Sequence, residues 1–164
     1  MAIDRKPASS TPAARKLLLP IDATKESHWG LRYAIERAKA GERIEVCLLY
    51  VAERARDWQV LKFRTEEEVR GHFRNLSHVY LDEAAAVLRG AGVSNSAHFR
   101  EADETYGILD FAEEQQCAAI VVPRREWLGG LLAYGTGARL KAARREIPIV
   151  FVDADGAVVE QHAR

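Results

Sequence analysis

Lys16-Leu17-Leu18-Leu19-Pro20-Ile21-Asp22-Ala23-Thr24 is the stretch on which the fold turns. An unbroken apolar run, with no polar residue at alternate positions, suits a strand covered on both faces, as in a parallel sheet. Leucine alone would suit a helix equally well, but Pro20 lacks the amide that a helix interior needs, so the run reads as a first strand. Beyond it, Leu31, Ala34, Ile35 and Ala38 recur at helical spacing, and Gly41 supplies a stop. The opening unit is therefore a strand followed by an amphipathic helix.

The same alternation continues along the chain. Ile44, Val46, Leu48, Leu49 and Val51 predict a second strand, and Glu53 to Phe63 forms a charged connection in which Trp58, Val60 and Leu61 hint at partial packing. From Thr65 to Arg89, Val69, Phe73, Leu76, Tyr80, Ala84 and Val87 keep helical spacing. Ala97 and Phe99 alternate with polar neighbours in a weaker strand, and Glu104 to Gln116 predicts a helix with Ile108, Leu109 and Ala112 inward. Ala118 to Val122 reads as a buried strand ended by Pro123. A loop from Arg124 to Tyr134 leads to a helix starting near Gly135 and Thr136, with Leu140 and Ala143 inward, and Ile147 to Val152 forms the last strand.

The order βαβαβαβαβ predicts an α/β fold, a five-stranded, mostly parallel sheet with helices on both faces. Residues 1–14, with Pro7, Ser9, Ser10, Thr11 and Pro12, are expected to be a flexible leader. Residues 15–153 form the domain, and residues 154–164 a tail that Asp153, Asp155 and Gly156 turn away from the sheet. Ligands of such sheets bind beyond the carboxyl ends of the strands, which points to Asp22, Val51 and the loop after Val122.

Composition narrows the function. Lys plus Arg number 24 and Asp plus Glu number 24, so no global field draws the protein to nucleic acid or an anionic membrane, and any anion site must be local. Cys47 and Cys117 sit in apolar runs and read as small core residues, without a disulfide framework. No apolar run approaches the ~20 residues of a membrane helix and Met1 to Pro12 lacks the apolar stretch of a secretory signal, so the expected location is the cytoplasm. His72, His78 and His98 lack metal-ligand spacing, Ser27-His28 lacks a third triad member, and Gly129-Gly130 lacks the ending of a P-loop.

Leu17-Leu18-Leu19-Pro20-Ile21-Asp22-Ala23-Thr24, Leu48-Leu49-Tyr50-Val51, Ala119-Ile120-Val121-Val122, Gly135-Thr136 and Ile147-Pro148-Ile149-Val150-Phe151-Val152, in this order and spacing, resemble the universal stress proteins over roughly Lys16 to Asp153. The resemblance implies a Rossmann-like sheet of the adenine nucleotide alpha hydrolase type. It also implies a homodimer joined through the last strand by Ile147, Ile149 and Phe151, and, as in many members, a site for ATP with magnesium or another adenine nucleotide. Asp22 matches the aspartate that contacts adenosine, and Val51 matches the valine lining the adenine slot. Gly135-Thr136 matches the last part of the phosphate-binding pattern. With their neighbours, the candidate nucleotide-binding residues are Pro20, Asp22, Ala23, Val51, Val121, Arg124, Arg125, Gly135 and Thr136.

The first two glycines of that pattern are absent, replaced by Val122 and Arg125 on one alignment or by Pro123 and Glu126 on another. Gly129 and Gly130 are substitutes only if the loop takes a different path. A side chain fills the space in which glycine lets backbone amides approach phosphate, and Pro123 removes a donor outright. Arg124 and Arg125 offset this, since a hydrogen bond to a charged partner contributes about 1.5–3 kcal/mol. A helix start at Gly135-Thr136 adds about 0.3–1 kcal/mol for an anion. Each residue also has a structural reading: Asp22 as a turn and helix-start residue, Val51 as core, the arginines as a solvated pair, and Gly135-Thr136 as a helix cap. The leading function is a non-catalytic, nucleotide-responsive regulator of stress response. The alternative is a dimer with an empty cleft that acts through protein contacts. A phosphate-transferring enzyme ranks last, because no carboxylate cluster beyond Asp22 can be assigned to the cleft.

Overall fold

The computed structural model describes residues 12–53, 65–125, 135–143 and 145–162. Its elements are β1 (Arg15–Pro20), a 3-10 turn (Lys25–His28), α1 (Trp29–Lys39), β2 (Ile44–Ala52), α2 (Glu66–Gly90) and β3 (Ser94–Glu101). They continue with α3 (Glu104–Glu114), β4 (Ala119–Pro123), α4 (Thr136–Ala142), β5 (Ile149–Val152) and β6 (Val158–His162). The connection around Trp58, Val60 and Leu61, the leader up to Thr11 and the loop containing Glu126, Gly129 and Gly130 lie outside the described residues.

The strands form one sheet in the order β3-β2-β1-β4-β5-β6. All neighbours are parallel except β5 and β6. β1 lies between β2 and β4, with Leu18 in register with both Cys47 and Ile120. Strand alternation sends Leu17 and Leu19 to the face covered by α1 and α2, with Val46, Leu48, Val121 and Val150. Leu18 goes to the other face with Cys47, Leu49, Ile120 and Val122, under Ile108, Leu109 and Ala112 of α3 and Leu140 of α4. Both faces are buried, which is why the run needs no polar alternation; all three leucines are 0% exposed. Cys47 and Cys117 are free and buried in this second core, although Cys117 precedes β4 rather than lying within a strand.

α2 starts with a reciprocal cap. Thr65 Oγ1 accepts from the Glu68 amide at 3.2 Å, and Glu68 Oε2 accepts from the Thr65 amide at 2.9 Å. Its buried stripe is Val69, Ser77, Leu81, Ala84, Ala85 and Leu88, so the expected face is rotated: Leu76 is only half-buried and Val87 is exposed. β3 is longer than Ala97 and Phe99 suggested, and Ala97 is exposed on it.

The largest departure is at the carboxyl end, where the sheet has six strands rather than five. The segment expected to turn away from the sheet folds back and pairs antiparallel with β5, Val150 opposite Gln161 and Phe151 opposite Glu160. Asp153 makes the reversal, its Oδ1 accepting from the amides of Asp155 at 2.9 Å and Ala157 at 3.0 Å. Gly156, at φ +75°, completes the turn close to α1. Arg32 of α1 donates to Ala154 O at 3.2 Å and pairs with Asp155 at 3.1 Å. The open apolar edge assigned to Ile147, Ile149 and Phe151 is thereby corrected. Ile147 precedes β5, while Ile149 and Phe151 are buried in a strand whose outer edge β6 already occupies.

Candidate functional site

The chain runs outward from β1 through β2 to β3, then returns to the other side of β1 as β4, so the strand order reverses between β1 and β4. At the carboxyl ends of these strands is a cleft of about 540 Å³. Its floor is apolar, built from Ile21, Leu49, Val51, Ile108, Val122 and Phe151. Its rim carries Asp22, Glu104 and Glu160 together with Arg124, Arg125 and Lys141.

Asp22 closes β1. Its Oδ1 accepts from the Thr24 amide at 2.7 Å and from the Thr24 hydroxyl, an Asx turn leading into the 3-10 turn. Ser27 Oγ tightens the corner by donating to Thr24 O at 2.9 Å. The other carboxylate oxygen, Oδ2, faces Arg125 at 3.5 Å, and the same guanidinium donates to Thr24 Oγ1 at 2.9 Å. Asp22 therefore does fill the turn role, and still presents one oxygen toward the cleft. Arg125 is a paired side chain rather than a purely solvated one.

The opposite rim is also paired. Glu104, the first residue of α3, accepts from the Thr136 hydroxyl through Oε1 at 2.8 Å and from Arg139 through Oε2. Lys141 donates to Glu160 of β6. Lys141, with Arg124 and His162 adding to it, holds the Glu160 carboxyl below the usual carboxylate range. Among the described residues, no group of three or more His, Cys, Asp or Glu is arranged to hold a metal ion. No described helix is long and apolar enough to cross a membrane.

Pro20, Asp22, Val51, Arg124, Arg125, Gly135 and Thr136 all line the cleft, but two expected residues do not. Val121 is 2% exposed and packs with Leu19 on the α1 face, because alternation puts Val122, not Val121, toward the cleft. Ala23 is exposed and outside the cleft wall. Val122, Pro123 and Arg125, which stand where glycines were sought, all line the cleft. Gly135 is extended, at φ −125°, and makes no conformational demand for glycine. The demand falls on Gly137, where a Cβ would lie 2.6 Å from Phe151 Cε1 and 3.1 Å from Val122 Cγ2, so α4 seats closely on β4 and β5.

Glu104, Lys141 and Glu160 were missed in the sequence. Glu104 was legible: a helix that follows a parallel strand begins on the same rim as the strand's carboxyl end. Glu160 was not, because its place depends on β6.

The model of the universal stress protein family matches residues 13–140. Comparison with curated proteins finds no match. Among solved structures, a universal stress protein family member from Burkholderia pseudomallei superposes with a TM-score of 0.66 at 19% identity, covering 84% of this chain and 95% of that one. The universal stress protein from Archaeoglobus fulgidus in complex with dAMP gives 0.57 at 19% identity, over 85% and 97% of the two chains. A universal stress protein family protein from Arabidopsis thaliana with AMP bound gives 0.57 at 15% identity, over 84% and 90%. At these identities the superpositions speak for the fold, and the match over residues 13–140 speaks for the lineage: this chain belongs to the universal stress protein family.

Proposed function

We propose that this chain is a nucleotide-responsive regulator in stress response, holding the adenosine part of an adenine nucleotide in the cleft above Asp22 and Val51. The observation that carries the reading is the cleft itself, with an apolar floor suited to a flat base and a carboxylate oxygen at its edge suited to a ribose hydroxyl. The dAMP and AMP bound to the Archaeoglobus fulgidus and Arabidopsis thaliana proteins support the same ligand class. A ribose on Asp22 competes with Arg125 for the same oxygen. Entry of the nucleotide therefore releases that guanidinium toward the phosphate. Occupancy is in this way coupled to the exposed Arg125 side chain, which a partner can read.

The pairing of Arg125 with Asp22 and Thr24 favours one other reading, a cleft that stays empty while the protein acts through protein contacts. Calorimetric titration of nucleotide-stripped protein with AMP, and with ATP and magnesium, separates the two, alongside assay of nucleotide in the protein as isolated. Micromolar binding weakened about tenfold by Arg125→Ala supports the regulator. Absence of binding at millimolar nucleotide refutes it. The proposed homodimer joins through β6, where Val158 and Val159 are 48% and 40% exposed on the edge of the sheet. A monomer by sedimentation at micromolar concentration overturns that contact.

A further inference from the structure

We infer that Glu104 sets the phosphate length this cleft accepts, favouring adenosine or a nucleoside monophosphate over a triphosphate. The inference rests on the nucleotide reading above and concerns the charged half of the same cleft. Among the described residues, those lining it include as many carboxylates, Asp22, Glu104 and Glu160, as cations, Arg124, Arg125 and Lys141. Those cations already act on the carboxylates: Arg125 on Asp22, Lys141 on Glu160, and Arg124 on Glu160 through its field. Arg139, just behind the wall, is paired with Glu104.

One phosphate can be met by a cation that turns from its carboxylate. A triphosphate must draw several away at once, and each cation withdrawn leaves a carboxylate facing phosphate oxygens. Glu104 is the least exposed of these three carboxylates. Both of its oxygens are held, one by the Thr136 hydroxyl and one by Arg139, and its side chain is 25% exposed, against 39% for Glu160 and 43% for Asp22. The Thr136 hydroxyl is engaged by the same contact, so the donor that a phosphate would seek there already serves an internal anion.

The experiment titrates the full chain, stripped of nucleotide, with adenosine, AMP and ATP, the last with and without magnesium, at low ionic strength. The readout is the ratio of ATP affinity to AMP affinity, which a general loss of folding does not selectively raise. Wild type is expected to bind AMP more tightly than ATP. Glu104→Gln keeps the acceptor for Thr136 and removes the charge, and is expected to raise the ratio about tenfold. Arg139→Ala strips the carboxylate of its counter-charge and is expected to lower the ratio. ATP binding wild type as tightly as AMP, or a ratio unmoved in both variants, overturns the role of Glu104 and leaves the nucleotide reading standing. Failure of adenosine, AMP and ATP alike to bind wild type overturns the nucleotide reading, and this inference with it.

Discussion

The centre of the sheet and its carboxyl-terminal edge are held by different forces. β1 has a parallel strand on each side and helices over both faces, and Leu17, Leu18 and Leu19 are 0% exposed. Full burial of such a side chain contributes about 1.5–3 kcal/mol, so the centre is stabilised by apolar area. β6 has one neighbour, and Val158 remains 48% exposed. What holds it is geometry: ladder bonds to β5, the two amides on Asp153, the Arg32 contacts, and one glycine in a left-handed conformation. The difference teaches that a stable core and a well-defined edge answer to different substitutions.

The largest effect is expected at the centre. Leu19→Ala leaves a cavity between β1 and α1, where Gly30 already approaches the Leu19 side chain so closely that a Cβ would sit 3.1 Å away. The expected loss is about 2–5 kcal/mol in the free energy of unfolding, read from urea denaturation. A loss no larger than that of an edge substitution would refute the division drawn here. At the edge, Gly156→Ala forces a side chain into positive φ and sets a Cβ 2.6 Å from the Tyr33 amide nitrogen. The expected cost is about 1–3 kcal/mol. It should be local: hydrogen exchange of the β6 amides should accelerate while that of the β1 amides holds. Equal acceleration in both strands would show that edge and centre unfold as one unit.

The same division explains what was legible in the sequence. Runs buried on both faces announce themselves, so β1, β2, β4 and β5 were readable from Leu17-Leu18-Leu19 and its counterparts, and with them the mostly parallel sheet. β3 and β6 are half-covered, and their polar residues dilute the signal. β6 carries only Val158 and Val159 before Glu160, and it becomes a strand because β5 offers a free edge, a tertiary fact. A local cue did exist. Asp153 to Gly156 between two short apolar stretches is a hairpin signal as well as a terminating one. The stripe of α2 was misplaced because Ser77, fully buried, donates to Arg74 O at 2.6 Å and so satisfies its own hydroxyl within the helix.

For the site, the positions at strand ends were legible and the pairings were not. Asp22, Val51, Arg124 and Arg125 follow from the rule that parallel strands present their carboxyl ends to one cleft. That Arg125 would lie on Thr24 and that Glu104 would take Thr136 and Arg139 depends on contacts between residues far apart in sequence. Charge balance in the whole chain gave no hint that the described residues of the cleft would repeat that balance locally.

The opposite edge of the sheet provides the smallest effect and the finest test of the comparison. His98 on β3 is half-buried against Phe111 of α3, with ring centroids 4.9 Å apart, and its Nε2 lies 2.8 Å from Ser96 Oγ. Burial lowers its pKa below the ordinary histidine value, and the positive charges of Arg100 and Lys16 push the same way. The unfolded chain therefore binds this proton more readily than the folded one. The contribution of His98 to stability is complete above the unfolded value, about 6.5, and is lost as pH falls from there through the folded value. Urea midpoints measured between pH 7.5 and pH 5 should decline more steeply in wild type than in His98→Gln, which cannot titrate. Parallel declines would mean that β3 admits water at His98 as freely as β6 does at Val158, and that the two edges of the sheet are alike.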